Sequence, residues 1–217
     1  LPPVWLLDCD NTLYPSGNGF FDRVDGRITA FMEERLGLSA DRISELRGHY
    51  RKTYGVTLGG LIADFGVDPG DYLPYVHDVP LDDLIAPDPL LAEALRALPG
   101  ERVIFTNGSA AHAARVLDRL GVRGAVGEIY DIAFMDYIPK PRPHGYRKLL
   151  GALGADPGRF WLVDDWVENL DTGLSLGMNT VLVGPSAAPG HLHVPSPHEL
   201  PALNIRQNHG FHASANG

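Results

Sequence analysis

The chain has 217 residues, of which 44% are hydrophobic and 21% charged, with a formal net charge of −9. That length accommodates one full domain with a sizeable core, or a core domain carrying a small insert. The negative balance excludes a general binder of nucleic-acid polymers, which needs a basic stripe to meet phosphates; a nucleotide monomer stays open, because a bound cation supplies positive charge locally.

In chain order, the first predicted element is a buried strand, Val4–Leu7. It runs into Asp8-Cys9-Asp10-Asn11-Thr12, two aspartates one residue apart where the strand opens into a loop. Cys9 is the single cysteine, so no intramolecular disulfide is available. Flanked by two acidic residues, it reads as a small buried hydrophobe rather than a nucleophile. Residues 15–87 then contain no convincing strand. Phe20, Phe21, Val24, Ile28, Phe31 and Leu36 recur at helical spacing up to a stop at Gly37, and Phe20 and Phe21 are assigned to the core of that helix. Further helical stretches fit residues 40–53, 58–65 and 71–76. The result is an all-helical insert that enters directly after the aspartate loop and is placed to cover whatever those aspartates act on.

Pro87 and Pro89 mark the return to a core formed by residues 1–14 and 88–203. Strands are predicted at 102–105, 130–134, 160–163 and 180–183, as short apolar runs without clear alternation, expected for strands buried on both faces of a parallel sheet. Helices are predicted between them: residues 111–120, capped by Ser109 and stopped by Gly121; Pro143–Leu153, with proline in its first turn; and 167–176, ending at Gly177. This alternation implies a doubly wound, Rossmann-like α/β sheet carrying the helical insert. After Gly184 the composition shifts to Pro, His, Ser and Gly, with one short helix expected at 197–203 and a loose tail at 204–217. His191, His193, His198, His209 and His212 fall in this region and are expected to be solvated linker residues, since no carboxylates accompany them as a metal site would require. No apolar run approaches the length of a membrane span, and a cytoplasmic location is the expectation, with the Leu1 start leaving room for a short leader removed upstream.

Phosphoryl transfer from a monoester needs a nucleophile, a proton donor for the leaving oxygen and positive charge around the equatorial oxygens. Asp8 suits the nucleophile, at a strand end where a cation can hold its carboxylate. Asp10 on the same loop can protonate the leaving alkoxide and later take a proton from the hydrolytic water. Thr106-Asn107, at the end of a strand and before a helix, offers a hydroxyl and backbone N–H groups as an oxyanion site. Lys140 adds a full positive charge, and Asp165 with Asp8 can complete an octahedral Mg²⁺ site.

Taken together, these residues resemble the haloacid dehalogenase superfamily, whose four motifs occur in order: Asp8-Cys9-Asp10-Asn11-Thr12, then Phe105-Thr106-Asn107, then Lys140-Pro141, then Val163-Asp164-Asp165 with Asn169 and Gly177-Met178. The helical insert resembles that family's C1-type cap. A finer similarity, to the pyrimidine 5′-nucleotidase branch, rests on three stretches: Asn11-Thr12-Leu13-Tyr14-Pro15, residues 54–61 of the insert, and Ile104–Gly108 with His112–Leu117. The resemblance implies Asp8 as nucleophile and Asp10 as acid/base, with its backbone carbonyl on Mg²⁺. It further implies Thr106 and Asn107 on phosphate, Lys140 bridging nucleophile and phosphate, and Asp165 as a direct metal ligand. Asp164 is then expected behind the metal, paired with Lys140, and Asn169 beside it. Tyr14 is the candidate for a base or sugar contact. Gly108-Ser109 departs from the family pattern, where more bulk is expected after the second motif.

The implied function is a Mg²⁺-dependent phosphomonoesterase acting on a small phosphorylated metabolite, with pyrimidine 5′-mononucleotides as the specific expectation and a sugar phosphate or phosphoglycolate as the alternative. A dehalogenase is disfavoured by Asp10, because displacing a halide requires no proton donor and no Mg²⁺. A sugar-phosphate mutase would pass the phosphoryl group to substrate rather than water. A signalling receiver domain has a similar acidic, Thr and Lys set, but its order differs and the helical insert has no place in it.

Overall fold

In the computed structural model, described over residues 1–154 and 156–203, six parallel strands form one sheet in the order β3-β2-β1-β4-β5-β6. They are β1 (Val4–Leu7), β2 (Glu101–Phe105), β3 (Ile129–Tyr130), β4 (Phe160–Asp164), β5 (Asn179–Val183) and β6 (Leu192–Val194). β1 is central, pairing in register with β2 (Leu7↔Ile104) and with β4 (Leu7↔Val163). All four of its side chains are buried, as a strand covered on both faces requires. Trp5 and Leu7 face one layer, with α5 (Pro89–Ala97) and α6 (Ala110–Leu120). Val4 and Leu6 face the other, with α7 (Pro143–Leu153) and α8 (Val167–Ser175). Trp5 and Trp161, cross-strand partners, bring their ring centroids to 5.5 Å, and the Trp5 indole donates to the Pro99 carbonyl at 3.0 Å.

The insert consists of α1 (Phe20–Leu36), α2 (Ala40–Tyr54), α3 (Thr57–Phe65) and α4 (Pro69–Val76), and it carries a hydrophobic cluster of its own around Phe31, Met32, Tyr50, Leu61 and Tyr72. α1 ends where its sequence stops it: Gly37 adopts a left-handed φ of +66°, and its N–H donates back to the Glu33 carbonyl at 3.0 Å. Arg47 of α2 is buried against α1, where it pairs with Asp25 and donates to the Thr29 hydroxyl at 2.8 Å. No helix of the described residues is long and apolar enough to cross a membrane.

Three features differ from the predicted elements. α5 is an additional helix, begun by the Asp88 side chain, which accepts from Leu91 N at 2.9 Å, and by Pro89 in its first turn. The third strand is shorter than predicted, because Asp131 leaves the sheet to accept from Ala110 N at 2.8 Å and Phe134 N at 2.9 Å. The chain then turns through Asp136 and Tyr137, both at positive φ. β6 extends the sheet edge where a linker was expected. His191 and His193 are correspondingly not solvated linker residues, whereas His198 is exposed as expected but carries a carboxylate partner. The His191 imidazole is fully buried between Thr180 and Asp171, His193 meets the Gly184 carbonyl at 2.7 Å, and His198 meets Asp88 at 2.9 Å. The short helix expected near 197–203 is a 3-10 helix, Pro197–Ala202. The predicted tail at 204–217, with His209 and His212, lies outside the described residues.

Candidate active site

The C-terminal ends of β1, β2 and β4, with the loop before α7, bring Asp8, Asp10, Thr106, Asn107, Lys140, Asp165 and Asn169 to one cavity of about 780 Å³, the crevice where ligands bind in doubly wound sheets. Asp8 leaves β1 with its N–H still donating to the Val163 carbonyl at 2.9 Å, which fixes the nucleophile candidate to the sheet. Asn11 adopts φ +62°, a left-handed conformation that asparagine tolerates. The chain thereby turns so that the Thr12 hydroxyl returns to Asp8 Oδ2 at 3.0 Å, with Asp165 Oδ1 at 3.4 Å.

Lys140, almost wholly buried, donates through Nζ to Asp8 Oδ1 at 2.9 Å, Asp164 Oδ2 at 2.7 Å and the Phe105 carbonyl at 2.8 Å. Its three ammonium protons thus meet three oxygens. The loop that carries it is clamped by Asn107, whose side chain accepts from Lys140 N at 2.8 Å and donates to Lys140 O at 3.1 Å. The Asn107 side chain is therefore committed to the loop, and any contact it makes with phosphate falls to its backbone. Asp164 is held by Asn169 Nδ2 at 2.9 and 3.0 Å and by Trp166 N at 2.9 Å. Thr106 is buried, its hydroxyl accepting from Gly108 N at 3.0 Å.

Asp8, Asp164 and Asp165 each present a carboxylate oxygen, and these atoms lie within 4.8 Å of one another. Burial pushes the Asp8 carboxyl up to about 7, with Asp164 and Asp10 adding to the rise and Lys140 opposing it. Burial and Asp164 push Asp165 up to about 6. Burial works against the Lys140 charge, but Asp164 and Asp8 overcome it and raise its pKa above the ordinary lysine value. One lysine does not neutralise three carboxylates. An all-oxygen donor set with surplus negative charge fits a hard divalent cation such as Mg²⁺.

Asp10 faces elsewhere. Its Oδ1 accepts from the Tyr14 hydroxyl at 2.6 Å and lies 2.8 Å from His112 Nε2. Burial raises its pKa, and the His112 charge and hydrogen bond together with the Tyr14 hydrogen bond outweigh that, leaving it below the usual carboxylate range. Tyr14, expected to contact substrate, is instead 4% exposed and does not line the cavity; burial and Asp10 keep its hydroxyl protonated. Phe20 is buried as expected of a helix-core residue, but Phe21 is 48% exposed and lines the cavity with Trp166, which is 57% exposed. Cys9 is buried with its thiol pKa pushed up, first by burial and then by Asp10 and Asp8, consistent with a packing role. At Gly108 a Cβ would lie 3.2 Å from His112 Cδ2, a tight contact, and 3.4 Å from Thr106 Oγ1 and 3.5 Å from Asp10 Oδ2, so bulk here would press on His112.

His112 and His77 were not singled out for the site. His112 lies in the first turn of α6, three residues after its capping Ser109, and a helix that opens at the end of β2 directs its first turn toward the strand ends. That placement was readable, but its contact with Asp10 spans 102 residues of sequence.

The model of the family described as haloacid dehalogenase-like hydrolase matches residues 4–177. Phosphate metabolism protein 8 of Saccharomyces cerevisiae is 29% identical over 195 residues, covering 82% of this chain and 60% of that protein. The chain thus spans about 60% of the length of this curated relative. Among solved structures, a HAD phosphatase from Thermococcus onnurineus is similar with a TM-score of 0.59 at 20% identity, over 92% of this chain and 96% of that one. The L-2-haloacid dehalogenase of Xanthobacter autotrophicus with chloropropionic acid covalently bound also reaches 0.59, at 17% identity, over 96% of this chain and all of that one. At such identities the structural likeness speaks for the fold alone.

Proposed function

The chain belongs to the haloacid dehalogenase-like hydrolase family, and from that premise we propose that it is a Mg²⁺-dependent phosphomonoesterase working through an aspartyl-phosphate on a small phosphorylated metabolite. The observation that carries this reading is Asp10: a mostly buried carboxylate with two hydrogen-bonding neighbours on one oxygen, lining the same cavity as Asp8. A leaving alkoxide needs a proton, whereas a leaving halide does not, so a held carboxylate at this position favours an ester substrate over a carbon–halogen bond.

Lys140 and Thr12 fix one Asp8 oxygen each, which orients the carboxylate for attack. An Asp8 oxygen bonds to phosphorus as the bond from phosphorus to the ester oxygen breaks, and that oxygen leaves with a proton from Asp10. A dianionic phosphate arriving beside Asp10 raises its pKa, toward the protonated form this step requires. In the second half, water attacks phosphorus, its proton passes to Asp10, and inorganic phosphate departs with Asp8 restored. Asp8 and Asp165, with the Asp10 backbone carbonyl, would hold Mg²⁺, and Asp164 would orient Lys140 behind it. When bound, the ion supplies positive charge to the phosphate oxygens and keeps the Asp8 carboxylate ionised. The Thr106 hydroxyl and the N–H groups after it receive the phosphate oxygens.

For the leaving group, a nucleoside monophosphate is the finer reading. Phe21 and Trp166 offer exposed aromatic surface in the cavity to stack on a base, and Arg51, Lys52 and Arg142 line the same cavity. Purified protein is expected to hydrolyse p-nitrophenyl phosphate with Mg²⁺, to lose that activity in EDTA, and to lose it in Asp8→Asn; retained activity in Asp8→Asn contradicts the covalent mechanism. A panel of nucleoside monophosphates, sugar phosphates and phosphoglycolate then tests the leaving group. A profile without preference for nucleotides removes the nucleotidase reading and leaves the phosphatase one.

A further inference from the structure

We infer that His112 is the positioning residue for proton transfer at Asp10, held in place by ring contacts from both ends of the helical insert. The inference rests on the phosphomonoesterase reading and extends it to a residue outside the nucleophile, lysine and metal set.

His112 is buried, and its Nδ1 is a buried nitrogen without a hydrogen-bond partner among the described residues. An apolar residue would fill the same slot without that cost. What the imidazole provides is Nε2, 2.8 Å from Asp10 Oδ1. Its plane is set by stacking against two rings. Phe20 lies 4.8 Å away at an interplanar angle of 9°, and His77 lies 4.6 Å away at 10°. Phe20 is the first residue of α1 and His77 caps the end of α4, so the two stacking partners sit where the chain enters and leaves the insert. Arg115, one turn further along α6, fastens the exit by donating to the carbonyls of His77 at 2.8 Å and Val79 at 2.7 Å.

His112 and Tyr14 converge on the same Asp10 oxygen, Oδ1. The second oxygen, Oδ2, has no hydrogen bond among the described residues and is the one beside Gly108, at 3.5 Å from where a Cβ would stand. Gly108 lines the cavity with Thr106. Two contacts on Oδ1 therefore leave Oδ2 on the phosphate side, as the atom that delivers the proton to the leaving oxygen and recovers it from water. Without His112 the carboxylate would be tethered by Tyr14 alone and free to rotate Oδ2 away from the line of transfer.

The test compares His112→Gln with His112→Asn. Glutamine places an amide N–H near the position of Nε2, whereas asparagine reaches only to that of Nδ1. The readout is kcat/KM, which reports steps up to departure of the leaving group, on an alkyl phosphate that needs a proton and on p-nitrophenyl phosphate, whose phenolate leaves without one. His112→Asn is expected to lose about 100-fold on the alkyl ester, the scale of general acid catalysis, and less than about 10-fold on p-nitrophenyl phosphate. His112→Gln is expected to recover most of the alkyl-ester loss. Thermal unfolding of each variant identifies those that fold, and the ester ratio within one folded variant is independent of how much active protein it contains. Equal losses on the two esters, or no loss in His112→Asn, overturn the positioning role. Absence of turnover of both esters by the wild-type chain overturns the phosphatase reading itself and this inference with it.

Discussion

Asp8 and Asp10 share a loop and are divided by what their carboxylates touch. Asp8 belongs to the cluster with Lys140, Thr12, Asp164 and Asp165, while Asp10 belongs to Tyr14 and His112. Asp10→Asn is therefore expected to lower kcat/KM on an alkyl phosphate by about 100-fold or more while leaving Mg²⁺ affinity intact, because its backbone carbonyl survives the change. Titration of the thermal midpoint with Mg²⁺ checks the second half; a collapse of Mg²⁺ affinity contradicts the division. A pH dependence follows from the crowded carboxylates. Asp8 at about 7 and Asp165 at about 6 bind protons more tightly in the folded chain than in the unfolded one. Their contribution to stability is fully present below the unfolded value near 3.8 and is lost as pH rises through 6 and 7. His77, lowered to about 4 by burial first and then by His112, works in the opposite sense over part of this range. A comparison with Asp165→Asn cancels His77 and isolates one carboxylate. In chelated protein the wild type is expected to lose stability relative to Asp165→Asn between pH 5 and 8, by at most about 1.4 kcal/mol, the one unit that separates pH 5 from its folded value, less what solvent screens at a partly exposed group. Mg²⁺ is expected to narrow the gap at pH 8, and unfolding midpoints in EDTA and in Mg²⁺ measure both.

At the scale of elements, what was legible in the sequence was what local chemistry determines. β1 is an uninterrupted buried run, and α1 carries both its apolar face and its Gly37 stop, so each could be read without knowledge of its neighbours. β6 could not: its three residues include a half-buried histidine, and the strand exists because β5 offers an edge to pair with. α5 was hidden differently, since Asp88 and Pro89 are helix-start signals that also read as the end of the insert. For the site, the four acidic positions and Lys140 were legible from order along the chain, whereas the His112–Asp10 contact depends on how β1 and α6 meet. Gly60 shows packing that only the fold reveals: a Cβ there would stand 2.0 Å from the Tyr50 ring, which is also held by its hydroxyl donating to Asp64 at 2.6 Å. Gly60→Ala must push α3 off α2. The expected cost is about 1–3 kcal/mol of stability, read as a lower urea midpoint. An unchanged midpoint would mean that the two helices are not packed as closely as this geometry requires.

Across the whole molecule, charge is distributed against its own average. The chain carries a net charge of −9, and three of its carboxylates, Asp8, Asp10 and Asp165, line the cavity, yet Arg51 and Lys52 of α2 and Arg142 before α7 line the same cavity. A phosphate dianion approaching an acidic protein is repelled at long range, and this rim of exposed cationic side chains along the cavity opposes that repulsion locally. Such a rim acts on capture more than on chemistry, because Asp8, Asp10 and Lys140 make their contacts without it. Reversing Arg51 and Lys52 to glutamate should therefore raise KM for phosphate monoesters by about 10-fold at low ionic strength. The change in kcat is expected to stay within about 2-fold, since the rim does not touch the reacting atoms. Because both side chains are exposed, added salt screens them, and the KM difference is expected to shrink as the Debye length falls to about 8 Å at physiological ionic strength. Steady-state kinetics of the double variant across a salt series decides the point. A KM difference that persists at high salt would assign Arg51 or Lys52 a direct contact with substrate, and a loss in kcat would place one of them against the transferring phosphoryl group.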